Sequence, residues 1–451
     1  MELIVNTPCG KIQGKESNVE NVIVFKGIRY ANANRFEYPN IVTSWEGIYD
    51  ASNYGHCCYQ PRSFYDEETN KKKYFYYNEF RKNQKYTYSE DCLFLNIWVN
   101  KKTQITDKLP VIVYIHGGGF TGGCGHELHF DGPAWPLNNV IAVTINYRLG
   151  PLGFLCFESQ KKEIGHTGNY GLYDQFTALK WIKNNIESFG GDSNNITIMG
   201  QSAGAMSVQQ LCMSPLTKEY ISKAVMSSGG GVNKIIKTKK ASTYYKLSNK
   251  IMELTNCSSM EELIKLDVEK LFEAYNIAKK DYFAMACAPV IDNLLIIDDA
   301  SKLVKENKYL NIPYMIGSNS EDLASPFMHT MAKKWCKNQL VDSYCYLFAH
   351  QLPGDDNGAW HSSDLWYFFN TLDNCWRPIT KIDKDLAETM VQYLTNFAKT
   401  GDPNSDTLVK WNKANGKGKL VMVFENDTSN MKKVKVSKLW KNMLTKKAVG
   451  E

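Results

Sequence analysis

An α/β fold built on a mostly parallel sheet is predicted by three features of the 451-residue chain. Short continuous apolar runs recur along it, a helical pattern separates them, and the first thirty residues read instead as hairpins. The runs are Val111-Ile112-Val113-Tyr114-Ile115, Val140 to Ile145, Ile196-Thr197-Ile198-Met199, Ala224-Val225-Met226 and Ile312 to Ile316. Unbroken β-rich runs of this length suit strands covered on both faces. Between them, Leu172, Phe176, Leu179, Ile182 and Ile186 fall at three- and four-residue steps, which predicts a helix over Tyr173 to Ser188. Strand alternating with helix gives a sheet flanked by helices.

The start of the chain departs from this pattern. From Leu3 to Tyr30, two short β-rich runs broken by Gly10, Gly14 and Gly27 predict antiparallel strands ahead of the parallel core. Residues 53 to 91 form a long polar and aromatic insertion, for which surface padding is the plainer reading and an active-site cover the other. No Pro/Gly/Ser-rich linker divides the chain, so residues 1–451 are expected to form one domain with cap-like insertions.

The formal net charge of +6 is modest for this size. Lysine runs at Lys71 to Lys73, Lys237 to Lys240 and Lys432 to Lys447 come without any nucleic-acid fold signature, so no nucleic-acid partner is expected. In the last run Trp440, Met443 and Leu444 share one helical side, which predicts a terminal helix docked on the body rather than on lipid. No apolar run is long enough to span a membrane, and Met1 to Asn6 lack the pattern of a secretory signal, so a cytoplasmic location is expected. The twelve cysteines are scattered, with no C-x-x-C or Cys/His cluster at metal spacing. They read as small buried side chains, and no metal or organic cofactor is expected.

The chemistry gathers around Gly200-Gln201-Ser202-Ala203-Gly204. The pentapeptide alone is a weak signal, but it follows the run ending at Met199 and precedes a helix-like stretch from Ala205 to Leu211. That is where a strained strand-to-helix turn lifts a serine hydroxyl clear of the sheet, making Ser202 the candidate nucleophile. Upstream, His116-Gly117-Gly118-Gly119-Phe120 ends a predicted strand. The N–H groups of Gly118 and Gly119, with that of Ala203, are expected to hold the oxyanion of an acyl-transfer intermediate. No Gly-Lys-Ser/Thr follows, so a phosphate loop is disfavoured.

In this arrangement the acid and then the histidine follow the serine along the chain. His329 and His350 lie in or beside predicted helix and strand, and His350 is expected to be solvated. His361 follows the loop Leu352 to Trp360, from which a base can reach the nucleophile. The run Ile312 to Gly317 leads into Ser318-Asn319-Ser320-Glu321-Asp322, so two adjacent carboxylates compete for the acid, and the unused one is expected to face solvent.

Together these residues resemble the type-B carboxylesterase and cholinesterase-like family of α/β-hydrolases along nearly the whole chain. Its landmarks occur in order: Ser89 to Ile97, HGGGF, Asn146 to Phe154, Gly168 to Gln175, Phe189 to Asp192, GQSAG, and Phe397 to Asn404. The resemblance implies Ser202 as nucleophile, His361 as base, and Gly118, Gly119 and Ala203 as oxyanion donors. It places Asp322 where the family usually has Glu, and favours Asp322 over Glu321. It also sets Gln201 where many members carry an acid, which disfavours cationic substrates such as choline esters, and gives Ser228 a supporting place beside the acid. Cys58 and Cys92 match a pair that forms a disulfide in secreted relatives, although a reducing compartment keeps such pairs as thiols.

The implied activity is hydrolysis of a small-molecule carboxylic ester by a Ser-His-Asp triad through an acyl-enzyme, with water as second substrate. Lipase or amidase activity on the same triad, and a non-catalytic binding protein, are the alternatives. Tyr54, Trp98, Phe120, Trp360, Trp366 and Tyr367 are candidates for an aromatic pocket, with core packing the plainer reading.

Overall fold

Every apolar run predicted as a strand lies in one eleven-stranded sheet. The computed structural model describes residues 1–232, 237–282, 286–416, 418–426 and 429–445. In chain order the sheet strands are β1 (Lys15–Glu16), β2 (Val22–Arg29), β3 (Phe94–Asn100), β4 (Leu109–Ile115), β5 (Ile141–Ile145), β6 (Gly191–Gln201), β7 (Lys223–Ser227), β8 (Tyr314–Asn319), β9 (Ser343–Phe348), β10 (Val421–Phe424) and β11 (Ser429–Lys432). Across the sheet they run β11-β10-β9-β8-β7-β6-β4-β5-β3-β2-β1. The pairings from β5 through β4, β6, β7, β8 and β9 to β10 are all parallel. β3, β2 and β1 at one edge and β11 at the other pair antiparallel. The hairpin-like start predicts β1 and β2 of these, and its first run, Ile4–Thr7, pairs antiparallel with Gly10–Gln13 in a separate small sheet.

Two cores explain why the central runs carry no polar face. Side chains alternate across a strand, and in β4 Val111, Val113 and Ile115 enter one buried cluster while Ile112 and Tyr114 enter the other. The helices that cover these faces are α1 (Tyr74–Phe80), α2 (Tyr170–Asn185), α3 (Ala203–Met213), α4 (Ser325–Lys337), α5 (Lys381–Thr400) and α6 (Val436–Thr445). The helix expected over Tyr173 to Ser188 starts earlier, at Tyr170. Its end tightens into a 3-10 turn at Ile186–Phe189 that closes on Gly190 with φ 81°.

Two of the landmark stretches meet in an ion pair at the core. Arg148 donates from Nε to Asp174 Oδ2 at 2.9 Å and from Nη2 to Oδ1 at 2.7 Å, with both side chains almost wholly out of water. Arg148 Nη1 also donates to the carbonyls of Asn34 and Glu37. Removing one member leaves the other charge buried without a partner. Asp174→Ala is therefore expected to destabilise the protein by about 3–5 kcal/mol, read as a lowered midpoint of urea unfolding.

The terminal helix docks as expected. Leu439 is buried, and Trp440 meets Phe327 of α4 edge-on at 5.2 Å. Lys446, Lys447 and the side chain of Leu444 lie outside the described residues. Among the described residues no helix is long and apolar enough to cross a membrane. Cys58 and Cys92 are free and buried, and Cys58 Sγ accepts the Leu149 N–H at 3.3 Å. His350 is not solvated. It is buried, with Nε2 2.8 Å from Asp383 Oδ1 and Nδ1 3.1 Å from Asn426 Oδ1, because the first turn of α5 folds back over it.

Candidate active site

β6 ends at Gln201 and α3 starts at Ala203, so Ser202 alone makes the turn, with φ 56° and ψ −125°. A non-glycine residue held there costs about 1–3 kcal/mol, and close contact between strand and helix enforces it. A Cβ on Gly204 would stand 2.0 Å from the Ile115 carbonyl oxygen, and one on Gly200 would stand 2.4 Å from the Gly204 carbonyl. The strained turn thus follows from the small residues that flank it. The Ser202 N–H donates to the Ser227 carbonyl at 2.9 Å, tying the turn to the end of β7.

The glycine loop after β4 faces the same point. Gly118 has φ 105° and Gly119 φ 62°. The Gly118 carbonyl turns inward to accept the N–H groups of Thr121 and Gly122 at 3.1 and 3.0 Å. Among the described residues the Gly118 and Gly119 N–H groups have no internal acceptor. The Ala203 N–H, first in α3, is one of the donors that a helix leaves unpaired at its start.

Of the two adjacent carboxylates, Asp322 reaches the histidine. His361 Nδ1 stands 2.5 Å from Asp322 Oδ1, and both side chains are buried. The Asp322 carboxylate also accepts the N–H groups of Asn319 at 3.1 Å and Leu323 at 3.0 Å. Burial alone works to raise its pKa, but the facing His361 outweighs it and holds the carboxyl below the ordinary aspartate range. Glu321 turns the other way. Its Oε2 accepts the Ala359 N–H at 3.0 Å and its Oε1 the Asn442 amide at 3.0 Å. It staples the histidine loop to β8 and α6 and is not the solvent-facing acid expected.

Ser228 lies beside Asp322 and helps to lower it, although among the described residues its Oγ meets no partner at hydrogen-bond geometry. Beneath this pair is a carboxyl that the sequence reading did not single out. Asp364, buried, accepts Ser227 Oγ at 2.5 Å, Tyr346 Oη at 3.1 Å and Asn319 Nδ2 at 3.3 Å. Burial pushes its pKa up against the pull of Ser227. The available signal was its place three residues after His361, just ahead of the run Leu365-Trp366-Tyr367-Phe368-Phe369. Gln201 Nε2 donates to His361 Nε2 at 3.2 Å, so in this structure the amide rests on the imidazole nitrogen that Asp322 leaves unpaired.

Ser202, His361 and the glycine loop open on a cavity of about 470 Å³. The insertion 53–91 covers it rather than padding the surface. Gln60, Arg62, Tyr76, Phe80 and Arg81 from that segment line the cavity. Arg62 donates to Glu127 Oε1 at 2.6 Å and Arg81 bonds Glu67 at 2.7 Å, so this part of the lining is charged and internally paired. Burial works to raise Glu127, but Arg62 and then Arg81 bring its pKa down to about 2. The aromatic candidates Trp98, Phe120, Trp360, Trp366 and Tyr367 are core, and Tyr54 donates to Asp131.

Burial also depresses three histidines. His129 falls to about 3, His329 to about 4, and His116 below its ordinary value. Each holds fewer protons folded than unfolded, so its contribution is complete above the unfolded pKa of about 6.5. It is lost as pH falls towards the folded value. Glu127 adds to this loss below about 4.3. The melting temperature is expected to drop steadily as pH falls from about 6.5 to 4, and His129→Gln to flatten that slope in thermal denaturation.

A parallel sheet that passes into a helix through a strained serine is the construction of the α/β-hydrolases, and the chain is one of them. It belongs to the carboxylesterase family, whose model matches residues 1–340 and 323–440, and is a carboxylic ester hydrolase. It is 30% identical to the para-nitrobenzyl esterase of Bacillus subtilis (strain 168) over 473 residues, covering 90% of this chain and 92% of that one. It is also 30% identical to the bile salt-activated lipase of Mus musculus, covering 89% and 79% of the two chains. Among solved structures, a PNB esterase superposes with a TM-score of 0.83 at 26% identity over 98% of this chain and 99% of its own. An esterase from Clostridium hathewayi reported to hydrolyse aliphatic aromatic polyesters gives 0.82 at 25% identity, over 98% and 97%.

Proposed function

We propose that the chain, acting as one domain, hydrolyses small carboxylic esters through a Ser202-His361-Asp322 triad and an acyl-enzyme. The observation that carries this reading is the His361–Asp322 contact at 2.5 Å, made on the cavity into which strained Ser202 opens. Asp322 accepts from Nδ1, which leaves Nε2 free of a proton and able to take one. The Gln201 amide must first swing off that nitrogen. Ser202 then passes its proton to Nε2 while Oγ bonds to the ester carbonyl carbon, and the Gly118, Gly119 and Ala203 N–H groups hold the oxyanion. On collapse the alcohol leaves with the proton from Nε2. Water repeats the sequence on the acyl group, and Ser202 recovers its proton as the acid departs.

Gln201 is neutral where a carboxylate is common, so it adds no second negative charge beside the imidazole, and uncharged alcohol groups suit the site better than cationic ones. The test is reaction with an organophosphate that mimics an ester, followed by peptide mass mapping. One adduct per chain on Ser202, with loss of p-nitrophenyl ester hydrolysis, is expected. Modification elsewhere with activity retained would reject the triad. Hydrolysis of an aliphatic amide as fast as the matching ester would favour the amidase alternative.

A further inference from the structure

Folding assembles a sulfur–nitrogen cluster that the sequence spacing conceals. Cys57 Sγ, Cys124 Sγ and a ring nitrogen of His126 all lie within 4.8 Å of one another. Cys57 Sγ and His126 Nε2 are 3.5 Å apart, across 69 residues of sequence. Cys57 lies on the short strand Cys57–Cys58, which pairs with Tyr88–Ser89, whereas Cys124 and His126 follow the glycine loop of the active site. The sequence reading found no Cys/His cluster at metal spacing, because Cys57 lies far along the chain from the Cys124-Gly125-His126 pair.

The spacing of Cys57 and His126 is that of two ligands on a tetrahedral ion. With metal–sulfur and metal–nitrogen bonds of about 2.3 and 2.0 Å, neighbouring S and N ligands sit about 3.5 Å apart. The surroundings are also those of a held site. Tyr54 stacks on the His126 ring at 4.5 Å and 12°, which fixes its plane. Arg62 Nη2 donates towards Cys124 Sγ at 3.8 Å, the kind of outer hydrogen bond that steadies a metal thiolate. The Tyr86 ring also packs on His126, at 5.6 Å, and among the described residues its buried hydroxyl has no hydrogen-bond partner.

We propose that Cys57, Cys124 and His126 bind one zinc-class divalent cation as two thiolates and a neutral imidazole. Binding releases the two thiol protons to solvent and changes no oxidation state. Thiolate and imidazole ligands select zinc over magnesium or calcium. The bound ion joins the insertion to the active-site loop at the point where Gln60 already holds Gly123, accepting its N–H at 2.9 Å and donating to its carbonyl at 3.1 Å. Its role is to fix the oxyanion-binding loop, not to activate water.

The test uses the full chain, reduced and stripped of metal by a chelator, then titrated with cobalt(II). One equivalent is expected to bind, with a thiolate-to-cobalt charge-transfer band and visible bands of tetrahedral strength, and zinc should bleach both stoichiometrically. The Cys57→Ser/Cys124→Ser variant should lose this equivalent and Cys257→Ser should keep it. A wild-type titration without the charge-transfer band overturns the proposal and needs no variant to fold. Unchanged stoichiometry in the double variant overturns it too, as does a Cys57–Cys124 disulfide in peptide maps of the freshly purified chain.

Discussion

Ser202→Ala is expected to lower kcat on a p-nitrophenyl ester by about 10⁶-fold, with little change in stability. The size follows from what the hydroxyl does. Without Oγ no acyl-enzyme forms, and His361 with Asp322 has no proton to take. The rate that remains is expected to exceed the uncatalysed one by about 10³–10⁴, supplied by binding and by the N–H groups of Gly118, Gly119 and Ala203. Stability is spared because Oγ forms no hydrogen bond among the described residues, and the strained φ of 56° stays with the alanine. Ser202→Gly separates the two effects, since glycine adopts that φ freely. It should be as inactive as the alanine variant yet melt higher. Steady-state kinetics beside thermal denaturation read both, and a Ser202→Ala rate equal to wild type would remove the serine from the mechanism.

What could be read in the sequence was whatever depends on local order. Apolar runs reveal strands, since a strand buried on both faces has no polar side to interrupt it, as β4 and β5 show. The strained turn was legible from Gly200 and Gly204, because the crossing of strand and helix excludes any Cβ there. What could not be read depends on which distant segments meet. Glu321 and Asp322 are neighbours of the same chemical type, and only the position of the histidine loop makes one an imidazole partner and the other a staple. Asp364 is one polar residue in an aromatic stretch until Ser227, Tyr346 and Asn319 surround it. The insertion 53–91 looked like padding because its lining groups, Arg62 and Arg81, are polar. Arg62 finds its partner Glu127 beyond the segment, so that buried pairing has no local signature.

Asp322→Asn is expected to lower kcat by about 10⁴-fold and Glu321→Gln by far less, and the contrast between them is the test of the acid. An amide at 322 keeps the shape of the site but can present its NH₂ to Nδ1. The imidazole then carries its proton on Nε2, where it can no longer accept one from Ser202. Charge matters as well, because Asp322 stabilises the imidazolium formed on proton transfer and the amide cannot. The aspartate is one methylene shorter than the usual glutamate, and the buried contact of 2.5 Å shows that the histidine loop sits close enough to compensate. Asp322→Glu, with its longer side chain, should push His361 away and lose activity too, though less than the amide. Glu321→Gln weakens the bonds to Ala359 and Asn442, so its effect should appear mainly as a lowered melting temperature. If Glu321→Gln instead matched the loss seen with Asp322→Asn at unchanged stability, the acid would be Glu321, and the contact at 322 would be structural.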